Sequence, residues 1–381
     1  MLVRNGATVL PRALRPLRGL VKEVCYTDDA STDDTRQVIE SLCHELQCAC
    51  TQFRLYPIEG LTHFKDAPET WERWVPGPFS EALVLRNWSV ARNASLKLCT
   101  GDYVMKLDAD DEVLNPDDVA RVIEQLDARP DINEVMSPYE IMSGQAIERY
   151  QMYLRLWRNR QYKFDGVVHE ALQIAGNCPP LMCMNGLTVR DWRDSPGANT
   201  RVAFRNFKVL LAEYERCRKL DCEMKTQELL DLAEEGTEVD SSFSLAVLQK
   251  HFDTNTCYQH IADRVNTIKG ICFEKSLRFD EAITCYRLAS HGSAKATLRL
   301  ALLEWKTDAS SWKETIKNTT DRLRREGLYF NGVTTTELKQ VEGLLKQIQV
   351  EGLLKQISNG DSRDFSIALA KLGEDGANVS Q

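Results

Sequence analysis

Two groups of carboxylates carry the strongest chemical signal in the 381-residue sequence: Asp28-Asp29, and Asp108 with Asp110 and Asp111. Each follows a short apolar run that reads as a strand, Val21 to Tyr26 and Tyr103 to Leu107. Ligands of open α/β sheets bind beyond the carboxyl ends of the strands, so the two groups are expected to converge. Like charge at that density is costly unless a cation or a hydrogen-bonding ligand offsets it. Hard carboxylate oxygens suit Mg²⁺ or Mn²⁺, which keep water and share their other positions with substrate phosphates. A solvated loop with capping acids is the plain alternative for Asp108-Ala109-Asp110-Asp111 taken alone. A calcium loop does not fit, because Val113 stands where the sharp turn needs glycine. Nor is His169-Glu170 a zinc-protease motif: no second histidine follows at helical spacing, and the segment reads as strand.

The elements that must hold these residues are legible in outline. Residues 1 to about 130 alternate strand-like runs with amphipathic helices, the pattern of an α/β sheet. Ser31 and Asp34 are spaced as a capping box, and Ile39, Leu42, Cys43 and Leu46 then share one helical face. Asn115 reads as the cap of the next helix, with Pro116 in its first position, Asp117 and Asp118 in its first turn, and Val119, Val122, Ile123 and Leu126 buried. Between them, Tyr56 to Phe79 is too long for a simple connection, and is either a binding loop or a surface insertion. Tyr150 to Trp157 alternates as a strand, and Phe164 to Leu172 reads as a second half of the sheet, closing the first domain at residue 195.

Beyond Ser195-Pro196-Gly197 the pattern turns helical. Phe207, Leu210, Leu211 and Tyr214 share a face. Gly270, Phe273, Ala282, Tyr286 and Ala289 stand where a tetratricopeptide-like helix pair needs small and aromatic residues, with a further helix over Ala294 to Trp305. A helical domain over 196–358 is expected, including a nine-residue duplication (341–349, then 350–358), followed by a frayed tail over 359–381.

Composition narrows the function classes. A net charge of −8 and a pI near 5.5 offer no basic footprint for nucleic acid. No apolar run approaches a membrane span, and the start lacks the regions of a signal peptide. The twelve cysteines are scattered without a Cys-x-x-Cys pair, and several (Cys25, Cys99, Cys272) lie in apolar runs. Buried reduced thiols in a cytoplasmic protein are expected.

The residues resemble family 2 glycosyltransferases at four places in the right order. Val24 to Thr35, with Thr27-Asp28-Asp29-Ala30-Ser31-Thr32-Asp33-Asp34-Thr35, resembles the family's first strand and turn. Asn87 to Asn93, with Ala91-Arg92-Asn93, is similar to its Ala-Arg-Asn helix, and Gly101-Asp102-Tyr103 through Asp111 to its Asp-x-Asp strand. Arg155 to Asn159 and Phe164 to Glu170 resemble later segments of a bacterial-type subgroup that carries a tetratricopeptide-like tail. The resemblance covers roughly residues 1 to 195. It implies a GT-A sheet, a nucleotide-diphosphate sugar donor and a divalent metal, Mn²⁺ or Mg²⁺. It also implies roles. Asp28 or Asp29 would bind the base of the nucleotide with Asn5 beside it, and Asp108 the ribose or the metal. Asp110 would be the main metal ligand, and Arg92 would pair with phosphate or with Asp108. An inverting transfer needs a base for the acceptor hydroxyl; Glu170 is expected there, with His169 holding phosphate or acceptor.

Three departures stand out. The first strand is short, with Gly6 where the family often has Glu; Ala30 replaces a glycine; and Val189-Arg190-Asp191-Trp192 offers Asp191 where the family has a metal-ligating histidine. A nucleotidyltransferase would want a Gly-rich phosphate loop, which Arg4-Asn5-Gly6-Ala7-Thr8 is not. The other alternative is a weakened GT-A domain acting as a scaffold, its helical repeats binding a partner or a second copy. Sugar and acceptor (protein or peptide, glycan or other) stay open.

Overall fold

The computed structural model describes residues 1–29, 31–54, 88–159, 162–173, 181–182, 186–192, 198–307, 311–326, 339–341, 343–346 and 348. Ala30, the 56–79 loop, Ser195-Pro196-Gly197, the second copy of the duplication and the 359–381 tail lie outside the described residues.

Among the described residues the α/β half holds two larger sheets and a separate two-stranded ladder. Strands β1 (Leu2–Val3), β2 (Glu23–Asp28) and β3 (Ala49–Arg54) are parallel neighbours in that order. The second sheet is mixed: β4 (Tyr103–Met105), β5 (Asp111–Val113), the long hairpin of β6 (Glu134–Ser143) and β7 (Ala146–Arg158), and two short strands, β10 (Leu181–Met182) and β11 (Val189–Asp191). Its order is β4-β7-β6-β11-β5, with β10 beside β6. A cavity of about 460 Å³ lies between the sheets, lined by Val24 and Cys25 of β2, Val104 and Met105 of β4, and Leu17 and Leu96.

Helices α1 (Leu10–Leu14), α2 (Thr35–Leu46), α3 (Trp88–Leu96) and α4 (Asp117–Ala128) flank these strands. The expected apolar faces are buried, Ile39, Leu42, Cys43 and Leu46 on α2 and Val119, Val122 and Leu126 on α4, all in one core with Tyr26, Leu107 and Val189; Ile123 is only partly buried against it. The caps differ from expectation. Ser31 does not cap α2, because its hydroxyl accepts from the Asn5 N–H at 2.9 Å; Asp33 accepts from the Thr35 N–H instead, at 3.1 Å. Asn115 donates to the Gly186 carbonyl at 3.1 Å, so Pro116 is the cap residue and α4 begins one position late.

Phe164 to Leu172 is not a second half of the sheet. Its ends form a separate two-stranded ladder, β8 (Phe164–Asp165) with β9 (Ala171–Leu172). The reason is local: Gly166 at φ +106° and His169 at φ +52° turn the chain, conformations a strand cannot contain. Val167 and Val168, on that turn, are buried in the core of the helical half.

That half comprises α5 (Ala198–Lys219), α6 (Thr226–Gly236), α7 (Ser241–His251), α8 (Gln259–Lys275), α9 (Phe279–Ala289), α10 (Ala294–Lys306) and α11 (Trp312–Glu326). Phe207, Leu210, Leu211 and Tyr214 are buried as the spacing requires. Gly270 admits the Tyr286 ring so closely that a Cβ there would sit 2.4 Å from it. The small and aromatic positions therefore interlock α8 with α9. The cysteines that are described are free thiols, Cys25 and Cys272 fully buried and Cys99 partly. No described helix is long and apolar enough to cross a membrane.

Candidate active site

The two acidic groups do come to one end of the molecule. Gly6, just past β1, packs so near the second group that a Cβ on it would lie 3.5 Å from Ala109 Cβ. The first group is locked by its own turn: Asp28 Oδ1 accepts from the Ser31 N–H at 3.0 Å, and Asn5 Oδ1 from the Thr32 N–H at 2.8 Å. Asp29 has Arg4 at 3.8 Å, and its N–H continues the ladder to the Val3 carbonyl. Asn5, Asp28 and Asp29 are thus brought together at the neighbouring ends of β1 and β2. Asn5 sits at φ +50°, a conformation asparagine tolerates better than most residues.

The second group is embedded in cations. Arg92, on α3, donates to Asp108 at 2.6 Å and, from its Nε, to Glu170. Lys106 stands 3.5 Å from Glu170. Arg155, on β7, donates to Asp111 at 2.9 Å and lies 3.8 Å from Asp108. Asp111 also accepts from the Tyr139 hydroxyl at 2.9 Å and from the Asp108 N–H at 2.8 Å, so it braces the loop from beneath. Three acidic side chains and three cations therefore meet in a space where Asp111 and Arg155 see almost no solvent.

Titration follows from that arrangement. Burial alone would raise the Asp108 pKa, but Arg92, Lys106 and Arg155 hold it far below the carboxylate range. Burial would raise Glu170 too; Arg92 and Lys106 keep it below its ordinary value and hence ionised. Burial wins at Asp111, pushed up to about 7 against the pull of Arg155.

The remaining expected residues fall in different places. Asp110 follows in the same loop, its carbonyl accepting from the Trp192 N–H at 3.4 Å. Asp191 is on β11, paired across the ladder with Asp111 and buried. Among the described residues no group of three or more His, Cys, Asp and Glu side chains stands ready to hold a metal. His169 does not face the acidic loop with Glu170: its Nε2 meets Glu235 of α6 at 2.7 Å. Lys106, Arg155 and Tyr139 were not assigned from sequence. The signal available was a cation inside an otherwise apolar strand run, Arg155 in Leu154 to Trp157 and Lys106 in Tyr103 to Leu107.

Residues 85–185 match the family model described as "Glycosyl transferase family 2". The match contains Arg92, Asp108, Asp110 and Glu170. No curated protein sequence matches the chain. Among solved structures, S. aureus TarS residues 1–349 overlays with a TM-score of 0.35 at 11% identity, covering 86% of this chain and 90% of that one. The same fragment in complex with UDP gives the same figures. The longer S. aureus TarS structure, at 11% identity and a TM-score of 0.35, covers 84% of this chain and 52% of that one. At this identity and score the overlays transfer no residue and no ligand. The fold class is the one expected: a mixed-sheet α/β domain of GT-A type, followed by a helical region.

Proposed function

We propose that this chain is an inverting glycosyltransferase that takes a sugar from a nucleotide-diphosphate donor. One observation carries the reading: inside the family-matched segment, Arg92, Asp108 and Glu170, from three separate motifs, meet at the same strand end. Asn5 with Asp28 or Asp29 binds the nucleoside at the neighbouring ends of β1 and β2. Arg92 and Lys106 supply positive charge for a diphosphate. Glu170 is already ionised, as a base must be, and takes the proton of the acceptor hydroxyl as that oxygen attacks the anomeric carbon. Its tight pairing with Arg92 also weakens it as a base, so a donor phosphate that draws Arg92 away strengthens Glu170 when the substrate is in place.

No three acidic side chains are grouped for a metal among the described residues, so a divalent ion here would rest on one or two carboxylates. Mg²⁺ and Mn²⁺ need only one or two carboxylates when substrate phosphates complete their shell. Asp110 is the first ligand we assign, then Asp108, which shares itself with Arg92; Asp191, buried on β11 opposite Asp111, does not complete a three-carboxylate set with them. Bound there, the ion would stabilise charge on the departing diphosphate. The helical half, read as tetratricopeptide-like, offers a surface for a protein or peptide acceptor or for a second copy of the chain, and the reduced thiols suit the cytoplasm.

The test is binding and turnover of a panel of UDP-, GDP- and dTDP-sugars with Mn²⁺ or Mg²⁺, followed by intact-mass analysis of candidate acceptors. Donor binding that is lost in Asp110→Ala, with turnover lost in Glu170→Gln, supports the reading. No binding of any donor with Mn²⁺ present overturns it.

A further inference from the structure

The turn that carries Glu170 is held by the helical half as well as by α3. Between β8 and β9 the chain passes through two left-handed residues, Gly166 and His169. Such a backbone persists only where surrounding contacts over-determine it. The Trp88 N–H of α3 bonds the Val167 carbonyl at 3.0 Å, and two side-chain contacts come from α6. Glu228 of α6 accepts from the Val167 N–H at 3.3 Å, and Glu235, two turns further along, meets His169 Nε2 at 2.7 Å. Positions seven apart share a helix face, so a single edge of α6 lies along the turn. Lys225, just before the helix, pairs with Asp165 at 2.5 Å. Glu235 is itself fixed by the Asn206 amide of α5 at 2.9 Å. Val167 and Val168 are buried among the helices, so the turn cannot move without opening that core.

We infer that Glu228 and Glu235 of α6 are positioning residues for Glu170: by clamping the 166–169 turn they fix where its carboxylate meets Arg92 and Lys106. His169 and Glu170 are adjacent and serve opposite partners, one the helical half, the other the acidic strand end. Releasing the first lets the second drift, and a misplacement of about 1 Å can cost on the order of 10² in rate. The catalytic meaning rests on the transferase reading above; the clamp itself does not.

The experiment therefore reads position apart from turnover. Glutamate carboxyl carbons are labelled with ¹³C in the full chain, and the Glu170 resonance is assigned by its loss in Glu170→Gln. In Glu235→Ala the Glu170 titration midpoint is expected to rise toward that of an ordinary glutamate as it leaves Arg92 and Lys106. Amide exchange over 164–172 should accelerate while α8 and α9 stay protected. Glu235→Gln, whose amide oxygen still accepts from His169, should leave both readouts near wild type. An unmoved Glu170 midpoint in Glu235→Ala overturns the inference, as does faster exchange that extends equally to α8 and α9. In a separate arm, turnover of a bound nucleotide sugar should fall ten- to hundred-fold in Glu235→Ala with donor affinity retained. If Glu170→Gln turns over normally, the base assignment fails, while the clamp is still judged by the carboxyl titration.

Discussion

Arg92 touches two carboxylates at once, and only 11% of its side chain reaches solvent. Removing it leaves Glu170, 10% exposed, and the more open Asp108 beside Lys106 and Arg155 alone. Breaking a buried ion pair from one side costs about 3–5 kcal/mol. Arg92→Ala should lose that much in urea unfolding, and Arg92→Lys clearly less, since it keeps the charge but not the fork. A second effect at this scale is pH-dependent. Burial would lower the His169 pKa, but the bond to Glu235 and its charge raise it above 6.5. The folded state thus favours the protonated ring. Stability from the pair is complete below 6.5 and is lost as pH rises through the higher folded value. Melting temperatures followed upward from pH 6.5 should therefore fall less steeply in Glu235→Gln than in the wild type. Asp28, Arg92, Asp108 and Glu170 were legible because short ordered motifs name them. Lys106, Arg155 and Tyr139 were not, because their roles arise from pairing β4 with β7 and β7 with β6, which local spacing does not encode.

Helix faces were readable and helix starts were not. The apolar stripes of α2 and α4 depend on residues that all repeat one period, whereas a cap depends on which neighbour wins a single side chain. Asn5 takes Ser31, and Gly186 takes Asn115. Phe164 to Leu172 reads as strand because of its apolar and β-branched residues; Val167 and Val168 serve the helical core instead, while Phe164 and Leu172 pack with Val104 and Trp157. The α8–α9 pair is the opposite case, where one small residue specifies a contact. Gly270→Ala would drive a methyl into the Tyr286 ring, and overpacking of this kind costs about 1–3 kcal/mol. Thermal unfolding should show it, and Tyr286→Leu, which removes the ring, should recover part of the loss in the double variant.

Across the whole molecule the two halves share more than a linker. The helical core claims Val167 and Val168 from the α/β half, and the Trp88 N–H bonds the Val167 carbonyl at 3.0 Å, so α3, the turn and α6 form one chain of contacts. Calorimetry of the full chain should accordingly give one dominant transition. A chain ended at residue 192 leaves both valines bare and should aggregate or lose the protection of residues 164–172 in hydrogen exchange. Two independent transitions, with that protection kept in the shortened chain, would contradict this coupling. Sequence suggested a boundary near 195 because composition changes there, but composition does not show which core a buried residue joins.

The left-handed backbone at His169 also shapes which sequences position 169 can accept. Histidine, asparagine, aspartate and glycine enter that conformation far more readily than β-branched residues do. A saturation library at this position, sorted for folded protein, should therefore keep Asn and Gly and discard Val, Ile and Thr. Tolerance there would be ordered by backbone preference before polarity, so one site would record two separate demands, on main chain and on imidazole.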